Sequence, residues 1–315
     1  MQQVISSYKY EGVARALSSI SHLGDSTGGT ISIFRREKML VDGKVLSIPT
    51  ISGNSFRGLL RDKGMMFMLR ELGSPTLSVP AFHFLTSGGA LTKEAGRGID
   101  FAESRRLREL IPLVSIFGGA TGRRIMEGKL QVGKWLPICK ETVELLPESL
   151  RDLPEAHLSM YDMTDLHSFT RTDDAKSERW QGFLPAPERE LLSAPKVRLD
   201  KEGAEVALKD AAQQMRYTQQ VLIAGTKFFL WMQLQDVTDL EKAAFASALY
   251  EWSRSPFIGG QSRHGCGLVD LNLERWQEIL PQVQMGPAEV SPSEEYLAHL
   301  RERRDEILDC LKELA

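Results

Sequence analysis

The sequence has few cysteines and no long apolar run. Its 3 cysteines lie far apart without any CxxC spacing, which argues against a disulfide framework and against a zinc site. The most apolar stretch, residues 221–234, is interrupted by Gly225 and Lys227, so no membrane-spanning helix is predicted. The first residues lack the basic-then-apolar layout of a signal peptide, and a cytoplasmic location without membrane contact is therefore expected.

The overall charge is close to neutral, but basic residues are concentrated beside glycines. The 315 residues carry a formal net charge of -3, with 42% hydrophobic and 26% charged residues. This balance is typical of a globular protein and excludes disordered and collagen-like classes. Because local positive potential attracts phosphate whatever the total charge, a nucleic-acid partner is compatible with this composition.

Hydrophobic periodicity and turn residues predict two similar half-units, each with a strand, a glycine-bearing loop, a helix and a further strand. This order predicts an α+β fold with a split βαβ, or ferredoxin-like, sheet and a large insertion at residues 141–220. The predicted strands cover residues 8–20, 30–40, 129–139, 225–234 and 268–273, and Asp42-Gly43 forms a turn. The predicted helices begin near Phe56 and cover residues 101–110, 239–253 and 293–314.

The run Ser52-Gly53-Asn54-Ser55 precedes the first predicted helix, where Arg57 and Arg61 lie one turn apart. Free amides, the positive end of the helix dipole and two guanidinium groups there predict an anion site. An ordinary helix start with solvent-facing arginines explains the run equally well. Leu59 and Leu60 replace the Lys and Ser/Thr of a nucleotide-hydrolysing loop.

A second glycine-rich run lies late in the chain, at residues 259–267. Closely spaced glycines permit turns that approach a ligand, and consecutive amides bind anions, so binding is favoured over a plain hairpin turn. The run Ile116–Gly119, followed by Arg123 and Arg124, predicts a strand edge close to a ligand or a neighbouring subunit. Four aspartates between residues 162 and 174 lack the spacing of a calcium loop, and no metal or cofactor is expected.

Together these segments resemble the RAMP superfamily of CRISPR-associated proteins, in particular the backbone ("Cas seven") subunit of Cascade-like effector complexes. Four segments between about residue 48 and residue 271 carry the resemblance in the family's order: IPTISGNSFRGLLRD, LVSIFGG, AGTKFFLWMQL and FIGGQSRHGCGLVDL. The glycine loop and Ser168–Arg171 are most similar to the type IV subtype.

The resemblance implies an RRM-like palm, an inserted β-hairpin thumb and helical fingers. It divides the chain into a first half of the palm with the fingers (1–140), the thumb and connecting insertion (141–220), a second half of the palm (221–275) and a helical tail (276–315). Met215, Arg216 and Tyr217 fall near the thumb tip. There a Met or Tyr would wedge between bases, or Met215 would simply pack beneath the hairpin.

The resemblance also implies a non-catalytic subunit that polymerises along a guide RNA (crRNA) with further copies of itself. It would act with other effector subunits and present the guide to target DNA or RNA. The residues expected to contact RNA are Arg35, Arg36, Lys38, Ser52, Gly53, Asn54, Ser55, Arg57, Arg61, Arg123, Arg124, Phe169, Arg171, Met215, Arg216, Tyr217, Gly260, Gln261, Ser262, Arg263 and His264.

One departure from the type III pattern bears on catalysis. In those relatives an aspartate between the first strand and the first helix cuts target RNA, whereas the corresponding stretch here contains Glu37 among cations. This favours a binding subunit over the alternative, a metal-dependent endoribonuclease. A guide-processing role for His22, and a metabolic enzyme that binds a phosphorylated small molecule, are further alternatives.

Overall fold

The computed structural model describes residues 5–26, 31–89, 100–121, 124–170, 185–187, 197–199, 205–207, 216–278 and 292–314. Within these residues the protein is a mixed α+β chain, as predicted. Its strands are β1 (Ser6–Ala16), β2 (Leu23–Ser26), β3 (Ile31–Phe34), β4 (Arg36–Val41), β5 (Lys44–Pro49), β6 (Gly119–Thr121), β7 (Arg124–Met126), β8 (Leu130–Val132), β9 (Leu136–Pro137), β10 (Thr164–Thr170), β11 (Val197–Leu199), β12 (Glu205–Ala207), β13 (Arg216–Leu222), β14 (Lys227–Val237) and β15 (Val269–Glu278).

Most helices in the described residues lie between the strands of the two predicted half-units or near residue 314. They are α1 (Gly53–Glu71), α2 (Val79–Ser87), α3 (Phe101–Leu110), α4 (Pro112–Phe117), α5 (Glu148–Arg151), α6 (Asp239–Ser253), α7 (Glu294–Glu302) and α8 (Arg304–Glu313). In the described ranges, every helix is too short or too polar to cross a membrane.

The largest sheet interleaves the two half-units. Its strand order is β15-β1-β14-β8, with β9 also paired to β14, and these pairs are antiparallel. Along the chain, β1, α1 and β8 form one unit, and β14, α6 and β15 form the other. Because β14 pairs with β1 and β8 while β15 pairs with β1, the strand order is that of a split βαβ arrangement.

Helices α1 and α6 cover one face of this sheet. Phe56 of α1 meets Trp135 and Trp252 edge-on, with ring centroids 5.0 and 4.9 Å apart, and all three side chains are buried. The α6 start is specified locally, because Thr238 and Glu241 form a reciprocal capping box. A smaller apolar cluster that includes Phe229 packs against the opposite face.

A second, four-stranded sheet has the order β10-β13-β3-β2. Strands β10 and β13 flank residues 171–215 of the predicted insertion and pair antiparallel over seven residues, from Thr164 opposite Leu222 to Thr170 opposite Arg216. Strand β13 also pairs in parallel with β3, so the base of the insertion lies next to the chain that precedes α1. Strands β4 and β5 form a separate two-stranded ribbon with its turn at Asp42-Gly43, as predicted.

Three segments differ from the predicted elements because tertiary contacts interrupt them. The strand predicted for residues 30–40 breaks at Arg35, whose N–H donates to the His22 carbonyl oxygen and whose own carbonyl accepts from Thr50. The strand predicted for residues 129–139 breaks between β8 and β9, where Trp135 pairs with Ile51 instead. The predicted tail helix is two helices, of which α7 packs on α6 and α8 packs on α3.

The prediction of a strand edge at Ile116–Gly119 is wrong for Ile116 and Phe117. Residues 112–117 form the short, fully buried helix α4, which ends at Gly118. A strand begins only at Gly119, and β6 pairs with β7. Because a buried helix end leaves carbonyl groups that need donors, this difference changes the role of the two arginines on α1.

Candidate nucleic-acid interface

The two small-residue runs, at residues 52–55 and 259–267, are far apart in the sequence, but both form hydrogen bonds to the dipeptide Ser21-His22. The Gly260 N–H donates to the Ser21 carbonyl oxygen at 2.7 Å. The Ser52 N–H donates to Nε2 of His22 at 3.2 Å. Because Ser21 and His22 are consecutive, the loop of residues 259–264 and the start of α1 lie side by side, as the interpretation of one shared surface requires.

The glycine loop is pinned at its base by close backbone contacts. The Ile258 N–H donates to the Gly267 carbonyl oxygen at 2.9 Å, which closes the loop. Gly259 has a φ of 78°, and a Cβ atom there would lie 2.3 Å from the Ser21 carbonyl oxygen. Only glycine combines this left-handed backbone with so close an approach, so Gly259 holds the loop against Ser21.

The tip of the loop presents polar groups to solvent. Gln261 and Gly265 both have left-handed backbones, with φ of 61° and 81°, and they bound a single 3-10 turn. The three residues of that turn, Ser262, Arg263 and His264, are exposed. The loop therefore presents one guanidinium and one imidazole to solvent.

The α1 start leaves donors available on the same surface. The Ser55 and Phe56 amides donate to the Ser52 carbonyl oxygen, but the Ser52 side chain makes no capping bond. Asn54 is exposed. Because the first amides of a helix have no intrahelical partner and carry partial positive charge, this end of α1 is suited to an anion.

His22 is held in one protonation state by its surroundings. Its Nε2 accepts the Ser52 N–H, which requires the neutral ring with its proton on Nδ1. Burial lowers the pKa of His22 below 6.5, and the nearby positive charge of Arg35 lowers it further. The ring also packs edge-on against Phe34, with centroids 6.1 Å apart. The neutral imidazole thus links the α1 start to the rest of the surface.

This arrangement predicts a pH-dependent stability below pH 6.5. As the pH falls, the unfolded chain takes up a proton at His22 before the folded chain does, so the free energy of unfolding decreases with a slope of at most about 1.4 kcal/mol per pH unit. Urea unfolding of the wild type and of His22→Gln between pH 7.5 and 5 measures this slope. The glutamine retains an acceptor for Ser52 without titrating, and an equal slope in both proteins would contradict the assignment.

The chain before α1 adds basic side chains, and Arg35 adjoins the same surface. Arg35 is exposed and its backbone N–H donates to His22 at 2.8 Å. Lys38 is exposed, and Arg36 donates from Nη1 to the Ser47 carbonyl oxygen at 3.0 Å. Glu37 is only one-fifth exposed and is paired with Lys134 and with Arg35.

An aromatic cluster joins the base of the insertion to the glycine loop. Phe169 of β10 and Tyr217 of β13 are cross-strand partners whose rings stack with centroids 5.6 Å apart. His264 meets Phe169 edge-on at 5.5 Å. These three rings, all among the predicted RNA-binding residues, lie together beside exposed Arg263. Aromatic faces next to cations are suited to stack bases of a single strand.

Arg61, in contrast, does not lie on this surface. It is buried, and its guanidinium donates to the Phe117 carbonyl oxygen and, at 2.6 Å, to that of Gly118. Arg57 is half-buried and donates to the Phe117 carbonyl oxygen at 2.5 Å. Burial, with Arg57 nearby, lowers the pKa of Arg61 to about 10. The expectation that both arginines converge on a phosphate is corrected: they satisfy the end of α4.

No protein-family model and no curated protein sequence matches the chain. Among solved structures, a chain of a "Type IV-B CRISPR Complex" is similar, with a TM-score of 0.57 and 25% identity, covering 93% of this chain and 98% of that chain. The protein is therefore similar in structure to a subunit of a CRISPR complex. Csc2 from Thermofilum pendens has a TM-score of 0.40 and 14% identity over 98% of this chain and 80% of its own, and no argument rests on it.

The remaining predicted RNA contacts are only partly located. Arg123, Arg171 and Met215 lie outside the described residues. Arg124 and Arg216 are placed only as backbone, at the first positions of β7 and β13. Their contribution to RNA binding stays a prediction.

Sequence reasoning missed the linking role of Ser21 and His22. The sequence suggests His22 only as a residue for guide cleavage, yet its ring Nε2 accepts a hydrogen bond from the Ser52 N–H at the α1 start. No spacing in the sequence indicates this, because the partners are 30 residues away for His22 and much farther for Ser21. The only local signal is a pair of polar residues directly after a predicted strand.

Proposed function

We propose that the protein is a non-catalytic backbone subunit that binds the guide RNA of a type IV-like CRISPR effector complex. The observation that carries the proposal is the convergence of the glycine loop, the α1 start, the Arg35 segment and the aromatic cluster on one surface. Phosphates are the ligands of the amides and guanidinium groups, and bases stack on the rings. Base edges remain free to pair with target DNA or RNA.

In this proposal the largest sheet with α1 and α6 is the palm. The insertion between β10 and β13 is the thumb, and the segments before α4 supply the fingers. Strand β10 ends and strand β13 begins beside the glycine loop, where Phe169 meets His264. The partners are therefore crRNA, further copies of this chain and the other subunits of the complex.

The surroundings of Glu37 support binding rather than catalysis. A metal-dependent nuclease needs a carboxylate free to hold the metal, whereas Glu37 is already paired with Lys134 and Arg35. Among the described residues, no three His, Cys, Asp or Glu side chains lie close enough to hold a metal ion. The neutral, half-buried imidazole of His22 likewise already accepts a hydrogen bond from the Ser52 N–H.

The proposal predicts that Arg35→Ala combined with Arg263→Ala weakens binding of unrelated guide RNAs to a similar degree. Each lost phosphate contact removes one released counterion, so the slope of log affinity against log salt should fall by about 1 to 2 units for the pair. Fluorescence anisotropy with two guides of different sequence at several salt concentrations measures both effects.

The control for this experiment is Arg105→Ala on α3, an exposed arginine that pairs with Glu109 at 3.0 Å. It should leave the slope unchanged. A loss confined to one guide sequence would contradict backbone binding. Complementary RNA incubated with the guide-loaded wild type and Mg²⁺ should stay intact, and regularly spaced cuts abolished by Glu37→Ala would establish the nuclease instead.

A further inference from the structure

A cavity lies on the face of the largest sheet that α1 and α6 do not cover. Residues 143–157, which include α5, pack on this face and are called the covering segment. Leu146 of the covering segment is buried in the smaller apolar cluster with Phe229 of β14. Between the covering segment and strands β1, β14 and β15, a cavity of about 420 Å³ remains. This volume is typical of sites for small molecules.

The cavity has apolar surface on both sides. Val13 of β1 and Phe229 of β14 are cross-strand partners on the side of the sheet. Leu150 and Leu153 line the side of the covering segment, and all four residues belong to the smaller apolar cluster. A flat ring between these two sides would bury both of its faces against apolar groups, so the walls favour a planar ligand.

One edge of the cavity carries a row of charged side chains. Lys227 of β14, Arg15 of β1 and Asp270 of β15 are neighbours across three adjacent strands, in that order, and all three line the cavity. Neighbouring strands are about 4.8 Å apart, so the row extends over about 10 Å. The Lys227 ammonium pairs with Glu155 at 2.8 Å, and its remaining N–H groups can donate to a ligand.

Arg15 and Asp270 are available to a ligand. They lie directly opposite each other and are exposed, yet within the described part of the chain neither side chain forms an ion pair or a hydrogen bond. With Lys227 they present the order donor, donor, acceptor along the row. Glu11 also lines the cavity, so the described lining residues carry two positive and two negative charges. A lining without net charge suits a neutral ring better than a polyphosphate.

Guanine is a planar ring whose edge is complementary to this row. Along that edge the base presents the acceptors N7 and O6, followed by the donors N1–H and the N2 amino group. Adenine shares N7, but an amino donor takes the place of O6 and would meet the Arg15 guanidinium, which is also a donor. Proteins recognise unpaired bases by such hydrogen bonds to the edge, combined with contacts on the faces of the ring.

We propose that this cavity binds a guanine base, either of a free nucleotide or of an unpaired RNA residue. Lys227 donates to N7, Arg15 donates to O6, and the Asp270 carboxylate accepts from N1 and N2. The ring lies between the sheet and the covering segment. The site is separate from the aromatic cluster and from the α1 start, so the inference does not rest on the proposed function.

Calorimetric titration of the purified chain with guanosine, inosine and adenosine monophosphate (GMP, IMP and AMP) tests the base. All three carry the same phosphate, so differences in affinity report on the base edge. GMP should bind about tenfold or more tightly than AMP, and IMP, which lacks the N2 amino group, should be intermediate. Asp270→Asn should lower the affinity for GMP about tenfold and remove the preference for GMP over IMP, since an amide keeps only one acceptor.

The matched control is Asp62→Asn, which removes an exposed carboxylate on α1, at the other face of the sheet, and should leave all three affinities unchanged. Ser149→Trp places a large side chain at an exposed lining position of α5 and should abolish GMP binding without changing Tm. Arg35→Ala with Arg263→Ala, which weakens guide binding in the proposed function, should leave the GMP affinity within about twofold of the wild type.

Competition with RNA distinguishes the two sources of the base. If a short uridine RNA with one central guanine displaces GMP and the same RNA with adenine does not, the cavity takes an unpaired RNA base. If neither displaces GMP, the ligand is a free nucleotide. Displacement by both RNAs, equal affinities for GMP and AMP, or unchanged GMP binding in Asp270→Asn or in Ser149→Trp would overturn the guanine site and leave the guide-binding proposal standing.

Discussion

Gly259→Ala is expected to lower the affinity for guide RNA roughly tenfold or more, about 1.4 kcal/mol. The added Cβ would lie 2.3 Å from the Ser21 carbonyl oxygen, and that oxygen also accepts the Gly260 N–H. Because the contact is with backbone, it is relieved only if the loop moves away from Ser21. That movement separates the glycine loop from His22 and the α1 start, and a divided surface binds one RNA backbone poorly.

Gly265→Ala is the matched control for this variant. Gly265 has nearly the same backbone, with a φ of 81° against 78°, but no atom lies within 4 Å of an added Cβ. Both variants therefore carry a similar left-handed strain of about 1 to 2 kcal/mol, and only Gly259→Ala carries the collision. Anisotropy titrations and urea unfolding of both proteins separate the two effects. Equal affinities in the two variants would mean that the contact with Ser21 does not organise the surface.

Arg61→Ala is expected to lower the free energy of unfolding by about 2 to 4 kcal/mol. The guanidinium is buried and donates to the Phe117 and Gly118 carbonyl oxygens at the end of α4. Without it the Gly118 carbonyl oxygen loses its charged donor and the Phe117 carbonyl oxygen keeps only Arg57. A cavity also forms beside the Phe117 ring, over which Arg61 lies at 5.8 Å. Urea unfolding measures the loss.

The binding measurement distinguishes this structural role from the one that the sequence predicted. At a temperature where the variant is folded, its affinity for guide RNA should stay within about twofold of the wild type. Arg105→Ala, which removes an exposed pair on α3, should change stability by no more than about 0.5 kcal/mol. If Arg61→Ala weakens RNA binding strongly without loss of stability, the arginine contacts phosphate after all.

The elements that could be predicted are those whose signals are local. The helices at residues 101–110 and 239–253 begin and end where the periodicity predicts, since each starts with a capping box, Asp100 with Glu103 and Thr238 with Glu241. The Asp42-Gly43 turn was likewise predictable from its two residues. These features depend on neighbours within four positions, which a single sequence contains in full.

The candidate site was predictable only in part. Its glycine loop, the Ser52 run and the Arg35 segment follow from residue types that permit close approach or carry charge. Arg61 was wrongly included, because its spacing on α1 is the same whether it faces solvent or the end of a buried helix. The break at Arg35 and the pairing of Trp135 with Ile51 also depend on segments that are distant in the sequence.

The sequence by itself determined the α+β class, the local turns and the kinds of side chain available for RNA, because these follow from periodicity, capping and chemistry within short windows. The tertiary structure alone decided which of those side chains share a surface. Ser21 and His22 join two distant turns, Ser21 through its backbone carbonyl oxygen and His22 through its ring Nε2. Every residue has a backbone carbonyl like that of Ser21, and the partner of the His22 ring lies 30 residues away, so residue type and spacing do not indicate either contact.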